Sequence, residues 1–157
     1  MASTLTQQAQ MIAKRLEAIP EAILRHLHPA LVASAKATAS VAIQLAPKDK
    51  GDLSASIEVT EPGQTTPAYA AGGGARTAAE NQALVTVGNP DVRYGHIAEF
   101  GSKPRINGGI FEGTQHPGTA PQPFFLPAQR LTRLSNERRI KRAISKAIKM
   151  AAQGQAQ

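Results

Sequence analysis

The stretch Leu84–Gly101 constrains the fold more than any other part of the chain, because it encodes three local structures in succession. Leu84–Val87 is a short apolar run rich in β-branched residues, which favours a half-buried strand. Pro90 lies in a turn-forming segment that ends this strand, since proline has no N–H for a sheet ladder. Tyr94–Phe100 then has apolar residues at helical spacing, and Gly101 follows where a helix C-cap would stand. The stretch predicts a strand, a tight turn and a short helix that contributes much of the scarce aromatic packing.

Most of the N-terminal third has the pattern of an amphipathic helix. Apolar residues recur mainly every three or four positions from Leu5 to Leu45, which is typical of one buried helix face. Pro20 and Pro29 interrupt the pattern, because each proline removes a helix hydrogen bond. The sequence therefore predicts helical segments at about 4–19, 20–28 and 30–45, ended by Ala46-Pro47.

Two strands and two long loops are predicted after this helix. Leu53–Thr60 alternates apolar and polar residues, as a strand with one wet face does. Gln82–Val87 is the return strand, and the two strands are expected to pair as an antiparallel hairpin. The loops 61–81 and 102–123 are rich in glycine and proline and show no periodicity, so we expect them to be mobile and structureless. Loops this long in a small domain tend to be functional or to become ordered on a partner.

The C-terminal segment predicts a helix with one apolar and one basic face. Pro127 suits the first helical position, and Phe124–Leu126 is expected to anchor the helix on the core. Leu131 and Leu134 lie off the apolar stripe, which predicts either a break near Ser135-Asn136 or a second contact surface. The basic residues are Arg138, Arg139, Lys141, Arg142, Lys146 and Lys149.

The predicted fold class is α+β, with a small antiparallel sheet flanked by a long N-terminal helix and a basic amphipathic C-terminal helix. A single domain is expected over residues 1–152, and residues 153–157 are expected to fray. Hydrophobic residues make up 41% of the chain but aromatic residues only 4%. The predicted core is therefore thin for the length of the chain, which favours stabilisation by partner subunits.

The net charge of +7 lies entirely in the C-terminal segment. Residues 1–127 have ten basic and ten acidic residues, whereas residues 128–157 have eight basic residues and a single acid, Glu137. A solvated face, a docking site for an acidic protein and a phosphate contact all fit this pattern. A peripheral membrane helix is disfavoured because the apolar side is rich in alanine and lacks tryptophan and phenylalanine. We also expect no membrane span and no secretory signal.

No segment has the pattern of a catalytic or cofactor site. The glycine run Gly72–Gly74 lacks the lysine and hydroxyl residue of a phosphate-binding loop. His96 and His116 have no metal-ligand spacing. Asp52 and Glu99 are better explained as a turn residue and a helix carboxylate with a basic neighbour than as an acid–base pair. We therefore predict a protein that is not an enzyme and that has no cofactor, no metal and, without cysteine, no disulfide.

Four short segments, in this order, resemble one family of virion proteins. They are Gly51-Asp52-Leu53-Ser54-Ala55-Ser56-Ile57 after Ala46-Pro47, then Val87-Gly88, Tyr94–Gly101, and Gln122-Pro123-Phe124-Phe125-Leu126-Pro127-Ala128. This order is similar to that of the tail-completion and head–tail joining (neck) proteins of long-tailed, lambda-like bacteriophages, over about residues 30–145. The chain departs from that pattern at Lys50, at Gly95 and between Leu126 and Pro127, where an arginine is often found.

The resemblance implies a structural protein of the virion that assembles in the host cytoplasm. It would form a homo-oligomeric ring, six-fold or twelve-fold, at the head–tail junction and join the tail tube to the portal–connector complex. Its implied partners are other copies of the chain, the connector or stopper, the tail tube, the terminator and the packaged DNA. Two alternatives stay open: a tail-terminator ring that caps the tail tube, and a small basic nucleic-acid-binding protein that uses helix 128–150.

This interpretation assigns roles to three sets of residues. Subunit contacts are expected from the loops, at Gly72, Gly73, Gly74, Arg76, Arg105, Gly108, Gly109 and Phe111. A structural motif that fixes the short helix and the last helix to the sheet is expected from Tyr94, Ile97, Glu99, Phe100, Gly101, Pro123, Phe124 and Phe125. The six basic residues of the last helix are expected to face an acidic partner or DNA.

Overall fold

The computed structural model describes residues 21–70 and 74–152. Helix α1 spans Glu21–Leu45, and the four-residue helix α2 spans Asp52–Ala55. Strands β1 (Ile57–Thr60) and β2 (Leu84–Val87) precede helix α3 (Gly95–Phe100). Strands β3 (Arg105–Ile106) and β4 (Gln115–His116) flank a 3-10 turn at Gly109–Phe111, and helix α4 spans Phe125–Ala152. The predicted helix 4–19, the residues Gly72 and Gly73 and the predicted frayed tail lie outside the described residues.

The two-stranded sheet follows the predicted pairing. Strands β1 and β2 are antiparallel, with Ile57 opposite Val87 and Thr60 opposite Leu84. Strands β3 and β4 form a second, shorter antiparallel pair. Long helices at both ends with small antiparallel sheets between them make this an α+β fold, as predicted.

Helix α1 runs without a break through Pro29, so the predicted restart at this residue is wrong. Pro29 itself is exposed, whereas Leu27 is buried before it and Ser34 and Ala35 are buried after it. A proline inside a helix removes one hydrogen bond, but burial of one face on both sides of it holds the helix together.

Helices α1 and α4 pack against each other in antiparallel directions. Thr38 lies 2.9 Å from Thr132 between their hydroxyl oxygens, and Ser34 accepts a hydrogen bond from Arg139 farther along α4. The positions that meet are mostly small, with Ala39, Ala42 and Ala128 all buried. Small residues let the helices approach closely but bury little apolar area, so the core is thin, as the composition indicates. Its largest side chain is that of Phe124, which is 1% exposed.

The first strand is shorter than predicted, because Leu53–Ala55 belongs to α2. The hydroxyl groups of Ser54 and Ser56 donate to the backbone oxygens of Gly51 and Leu53, at 2.8 and 2.7 Å. Such local side-chain bonds compete with a sheet ladder and favour a helical turn. Of the apolar residues in the alternating pattern, Leu53 and Ile57 are nevertheless buried and Val59 is half-buried, whereas Ala55 is exposed.

Helix α4 shows no break near Ser135-Asn136, which excludes one of the two alternatives that the sequence left open. The side chain of Asn136 donates to Thr38 Oγ1 at 2.9 Å, and the Ser135 hydroxyl donates to the backbone oxygen of Thr132 at 2.8 Å. Both polar side chains are accommodated inside a continuous helix. The helix also begins at Phe125, which makes Pro127 its third residue and not its first.

The excursion between β1 and β2 is folded where the structure describes it, in contrast to the mobile loop that was predicted. Thr66 N–H donates to the backbone oxygen of Arg76 at 2.8 Å, and Arg76 N–H donates to the Thr66 hydroxyl at 2.9 Å. Ala78 N–H also donates to the Gln64 oxygen at 2.8 Å. Thr66, Ala70 and Ala78 are buried, so this segment packs against the body of the protein.

Candidate subunit-contact surfaces

Glu99 links α3 to the start of α4. Its side chain is only 6% exposed, and its carboxylate oxygens accept the backbone N–H groups of Phe124, Phe125 and Leu126 at 2.8, 2.8 and 2.9 Å. The next residue, Pro127, has no N–H. One carboxylate therefore satisfies the N–H groups that the first turn of a helix leaves without partners.

The Glu99 carboxylate remains ionised at this position. Burial acts most strongly on its pKa and raises it, but the three backbone donors together outweigh burial and leave the pKa below the ordinary glutamate value. The positive end of the α4 dipole favours the same charge state. In the described chain Glu99 forms no ion pair, so backbone donors replace the basic neighbour expected from the sequence.

The aromatic residues at the ends of α3 are exposed, contrary to the packing predicted for them. Tyr94 is 44% exposed and Phe100 is 68% exposed. This short helix buries Gly95 and Glu99, which are one turn apart on one face. Residues 94 and 100 lie off that face, so neither side chain is buried in the core. Gly101 is the C-cap of α3, as predicted.

Residues 102–119 form a hairpin, which we call the arm. Ser102 and Thr119 exchange two backbone hydrogen bonds at its base, at 2.9 and 3.0 Å. The pair β3–β4 extends from this base, and Asn107 N–H donates to the Thr114 oxygen at 2.8 Å near the tip. The second predicted structureless loop is therefore an ordered hairpin.

Gly101 allows the segment that leads into the arm to lie close to the segment that returns from it. Its φ is +72°, and a Cβ atom at this position would lie 2.6 Å from the Thr119 backbone oxygen. Both the backbone angle and the close approach require glycine. The arm thus begins at a fixed point on α3.

Three large apolar side chains on the outer part of the arm are exposed to solvent. Ile106 is 72% exposed, Ile110 is 96% exposed and Phe111 is 67% exposed. An isolated two-stranded hairpin is marginally stable in water, and an exposed apolar cluster usually marks an interaction site. We call these three residues the arm tip.

A second exposed apolar surface lies on α4. Leu126, Leu131 and Leu134 are 37%, 71% and 64% exposed, and we call them the leucine surface. Leu131 and Leu134 adjoin the buried Thr132, which faces α1, and they lie on the outward side of the helix. The sequence offered a second contact surface as the alternative to a helix break, and the break is absent.

A family model matches residues 10–101, which is more than half of the chain, and its description is "Bacteriophage HK97-gp10, putative tail-component". The chain belongs to the HK97-gp10-like family. This HK97-gp10-like protein is therefore a structural component of the phage tail and of the virion, and its family is not a class of enzyme. A tail component interacts with other tail proteins. The match ends at Gly101, so the arm and α4 lie outside it. No curated protein and no solved structure matches the chain significantly.

The structure of this HK97-gp10-like protein brings together only part of the predicted contact residues. Arg105, Gly108, Gly109 and Phe111 all lie on the arm and are exposed, whereas Gly74 and Arg76 are exposed on the separate excursion between β1 and β2. The sequence analysis missed Ile106 and Ile110, although two isolated isoleucines in a glycine-rich segment are a signal for an apolar contact. It also missed the stacking of Arg93 on Tyr69, with 4.0 Å from guanidinium carbon to ring centroid.

The residues of the predicted structural motif have different environments. Phe124 is buried, Phe125 is half-buried and Pro123 is exposed. Ile97 is half-buried on α3. Their role in fixing the two helices to the sheet stays a proposal, which the Glu99 contacts support.

The six basic residues of α4 that were expected to face a partner are not all equivalent. Arg139 is half-buried, and its guanidinium donates to Asn136 Oδ1 at 2.8 Å and to Ser34 Oγ at 3.2 Å. The other five residues are exposed: Arg138, Lys141, Arg142, Lys146 and Lys149. Arg139 therefore belongs to the α1–α4 interface and not to the exposed basic surface that the sequence predicted.

Within residues 21–70 and 74–152, no three metal-ligating side chains converge on a common point. Nor does this part of the chain contain a helix with an apolar stretch long enough to cross a membrane.

Proposed function

We propose that this protein is a tail-completion component of the head–tail junction, which assembles as a ring and joins the tail tube to the portal–connector complex. The exposed arm tip is the observation that carries this proposal. Three large apolar side chains on a protruding hairpin are unfavourable in a free monomer and favourable when a neighbouring subunit covers them.

The arm tip and the leucine surface are different regions of one chain. Contact between the arm of one copy and the leucine surface of the next would be heterologous, because the two partners contribute different patches. Repeated heterologous contacts close into a ring when the rotation between copies allows it. The ring that we propose is such a closed assembly, and it would enclose the DNA channel.

Two features of the arm favour such a contact. Paired backbone hydrogen bonds at Ser102 and Thr119 fix its base, and Gly101 fixes the direction in which it leaves α3. A preorganised hairpin loses less conformational entropy on binding than a flexible loop would. Because the apolar core is thin, we expect the free monomer to have a small free energy of unfolding. Assembly would raise this free energy.

The experiment compares oligomeric state by sedimentation velocity and native mass spectrometry, with and without assembled tails. Wild-type protein should form a closed oligomer, and the variant I110S/F111S should remain monomeric. The variant L131S/L134S should lose assembly as well. A matched control is I43S/L45S, which removes two exposed apolar side chains from α1 and should assemble normally.

A strictly monomeric wild-type protein in the presence of tails would contradict the proposal, as would normal assembly of I110S/F111S. A ring that binds free tube ends and stops tube growth would assign the terminator role instead of tail completion.

A further inference from the structure

The C-terminal half of α4 has a surface of exposed positive charge, which we call the basic face. It consists of Arg138, Lys141, Arg142, Lys146 and Lys149. With 1.5 Å rise and 100° rotation per residue, these side chains cover about 17 Å of helix length within an arc of about 140°. The face is therefore continuous and lies on one side of the helix.

Acidic residues on α4 offset this face only in part, because Glu137 lies near one of its members, Lys141. Glu137 is the single acid among residues 128–157, and its carboxylate is held by Arg133 at 2.8 Å. That hydrogen bond lowers the pKa of Glu137 and keeps the ion pair formed. Arg139, bonded to Ser34 and Asn136, fixes the rotation of α4 against α1 and so holds the basic face outward.

A second copy of the chain is a poor partner for this face. Residues 1–127 have equal numbers of basic and acidic residues, ten of each, and offer no excess of negative charge. The basic face would repel its own counterpart on a neighbour. An anionic partner of another kind therefore complements the face better than a second copy does.

The composition of the face distinguishes between an acidic protein and a nucleic acid. Protein interfaces have an apolar core from which charged residues are depleted, whereas nucleic-acid interfaces are more polar and strongly positive. Between Arg138 and Lys149, Ile148 is the one large apolar side chain that is exposed. No aromatic residue is present in this segment, which disfavours stacking on single-stranded bases.

We propose that the basic face binds the phosphate backbone of duplex DNA without sequence preference. Contacts between lysine or arginine side chains and the phosphates hold a protein in place on DNA, but they do not read the base sequence. Five such contacts predict that the logarithm of the binding constant falls with the logarithm of salt concentration with a slope of about −4.5. The inference does not depend on ring assembly, although a ring would multiply the contacts.

The test measures fluorescence anisotropy of labelled 30-bp duplexes of two unrelated sequences, from 50 to 200 mM salt, with the full chain. The variant R142Q/K146Q should bind roughly tenfold or more weakly, and its salt slope should fall by about 2. The control K48Q/K50Q also removes two exposed positive charges from the net +7 and should bind as wild type does. Both sequences should bind equally.

Four results would overturn the proposal: no duplex binding at 50 mM salt, equal weakening by R142Q/K146Q and the control, unchanged duplex binding by R142Q/K146Q, or strong preference for one sequence. Loss of tail binding by R142Q/K146Q with unchanged duplex binding would identify an acidic protein as the partner. Circular dichroism checks the fold of each variant. R138Q/K149Q provides an independent test should the first variant not fold.

Discussion

At the scale of single residues, Glu99 contributes most clearly to holding two elements together. Its three backbone hydrogen bonds involve an ionised acceptor in a buried place. The variant E99Q replaces one carboxylate oxygen with an NH₂ group, which cannot accept a hydrogen bond. At least one of the three backbone N–H groups therefore loses its acceptor. We expect the free energy of unfolding at pH 7 to fall by roughly 3 kcal/mol in urea denaturation. The exposed Glu58 provides the control E58Q, which should change it by less than about 0.5 kcal/mol.

The same group makes stability depend on pH in a defined direction. Because the folded-state pKa of Glu99 is depressed, its contribution is fully present above the ordinary glutamate value of about 4.3. The contribution is lost as pH falls through the lower, folded-state pKa. The stability difference between wild type and E99Q should therefore shrink in acid. An equal difference at pH 7 and pH 3 would argue against an ionised cap.

Gly101 provides a second residue-scale prediction. The variant G101A combines an unfavourable positive φ with a Cβ atom 2.6 Å from the Thr119 oxygen. Gly113 also has a positive φ of 81°, but open space surrounds it, so G113A measures the backbone strain alone. We expect about 1 kcal/mol of destabilisation for G113A and at least about 2 kcal/mol for G101A in thermal unfolding. Equal effects would show that the arm base is not closely packed.

At the scale of elements, sequence patterns predicted the structures that depend on residues close together in the chain. The apolar stripe of α1, the pairing of β1 with β2 and the helix stop at Gly101 follow from periodicity and from glycine chemistry. The continuity of α1 through Pro29 and of α4 through Asn136 does not, because contacts between the two helices decide both. The polar network that joins them, through Thr38, Thr132 and Asn136, depends on residues far apart in the sequence.

The continuous helix α1 makes Pro29 a testable weak point. The variant P29A restores a backbone N–H in an exposed interior position and removes the steric cost of proline. We expect the free energy of unfolding to rise by roughly 2 kcal/mol, seen as a higher midpoint in urea. Pro47 lies beyond the end of α1, so P47A should give no such gain. Destabilisation by P29A would mean that the helix needs a bend here.

At the scale of the whole molecule, the distribution of surface determines what the chain can do. Of the six large apolar side chains in the described part of the chain that are more than 60% exposed, five lie on the arm tip and the leucine surface and the sixth is Phe100. Positive charge is concentrated on the basic face. Composition predicted the thin core and the asymmetric charge. It could not predict that residues 102–119 fold into a hairpin, because that depends on pairing across the arm and on the position of Gly101. Nor could it predict the exposure of Phe100, because this depends on which face of α3 the Glu99 carboxylate turns toward the start of α4.

Hydrogen exchange of the arm amides tests most directly whether the exposed hairpin is covered on assembly. The measurement compares residues 105–116 in the free protein and in assembled tails by mass spectrometry. These amides should exchange quickly in the free protein and be protected at least tenfold in tails, while those of the buried α1–α4 interface change little. Equal exchange of the arm in both states would show that no neighbouring subunit covers it.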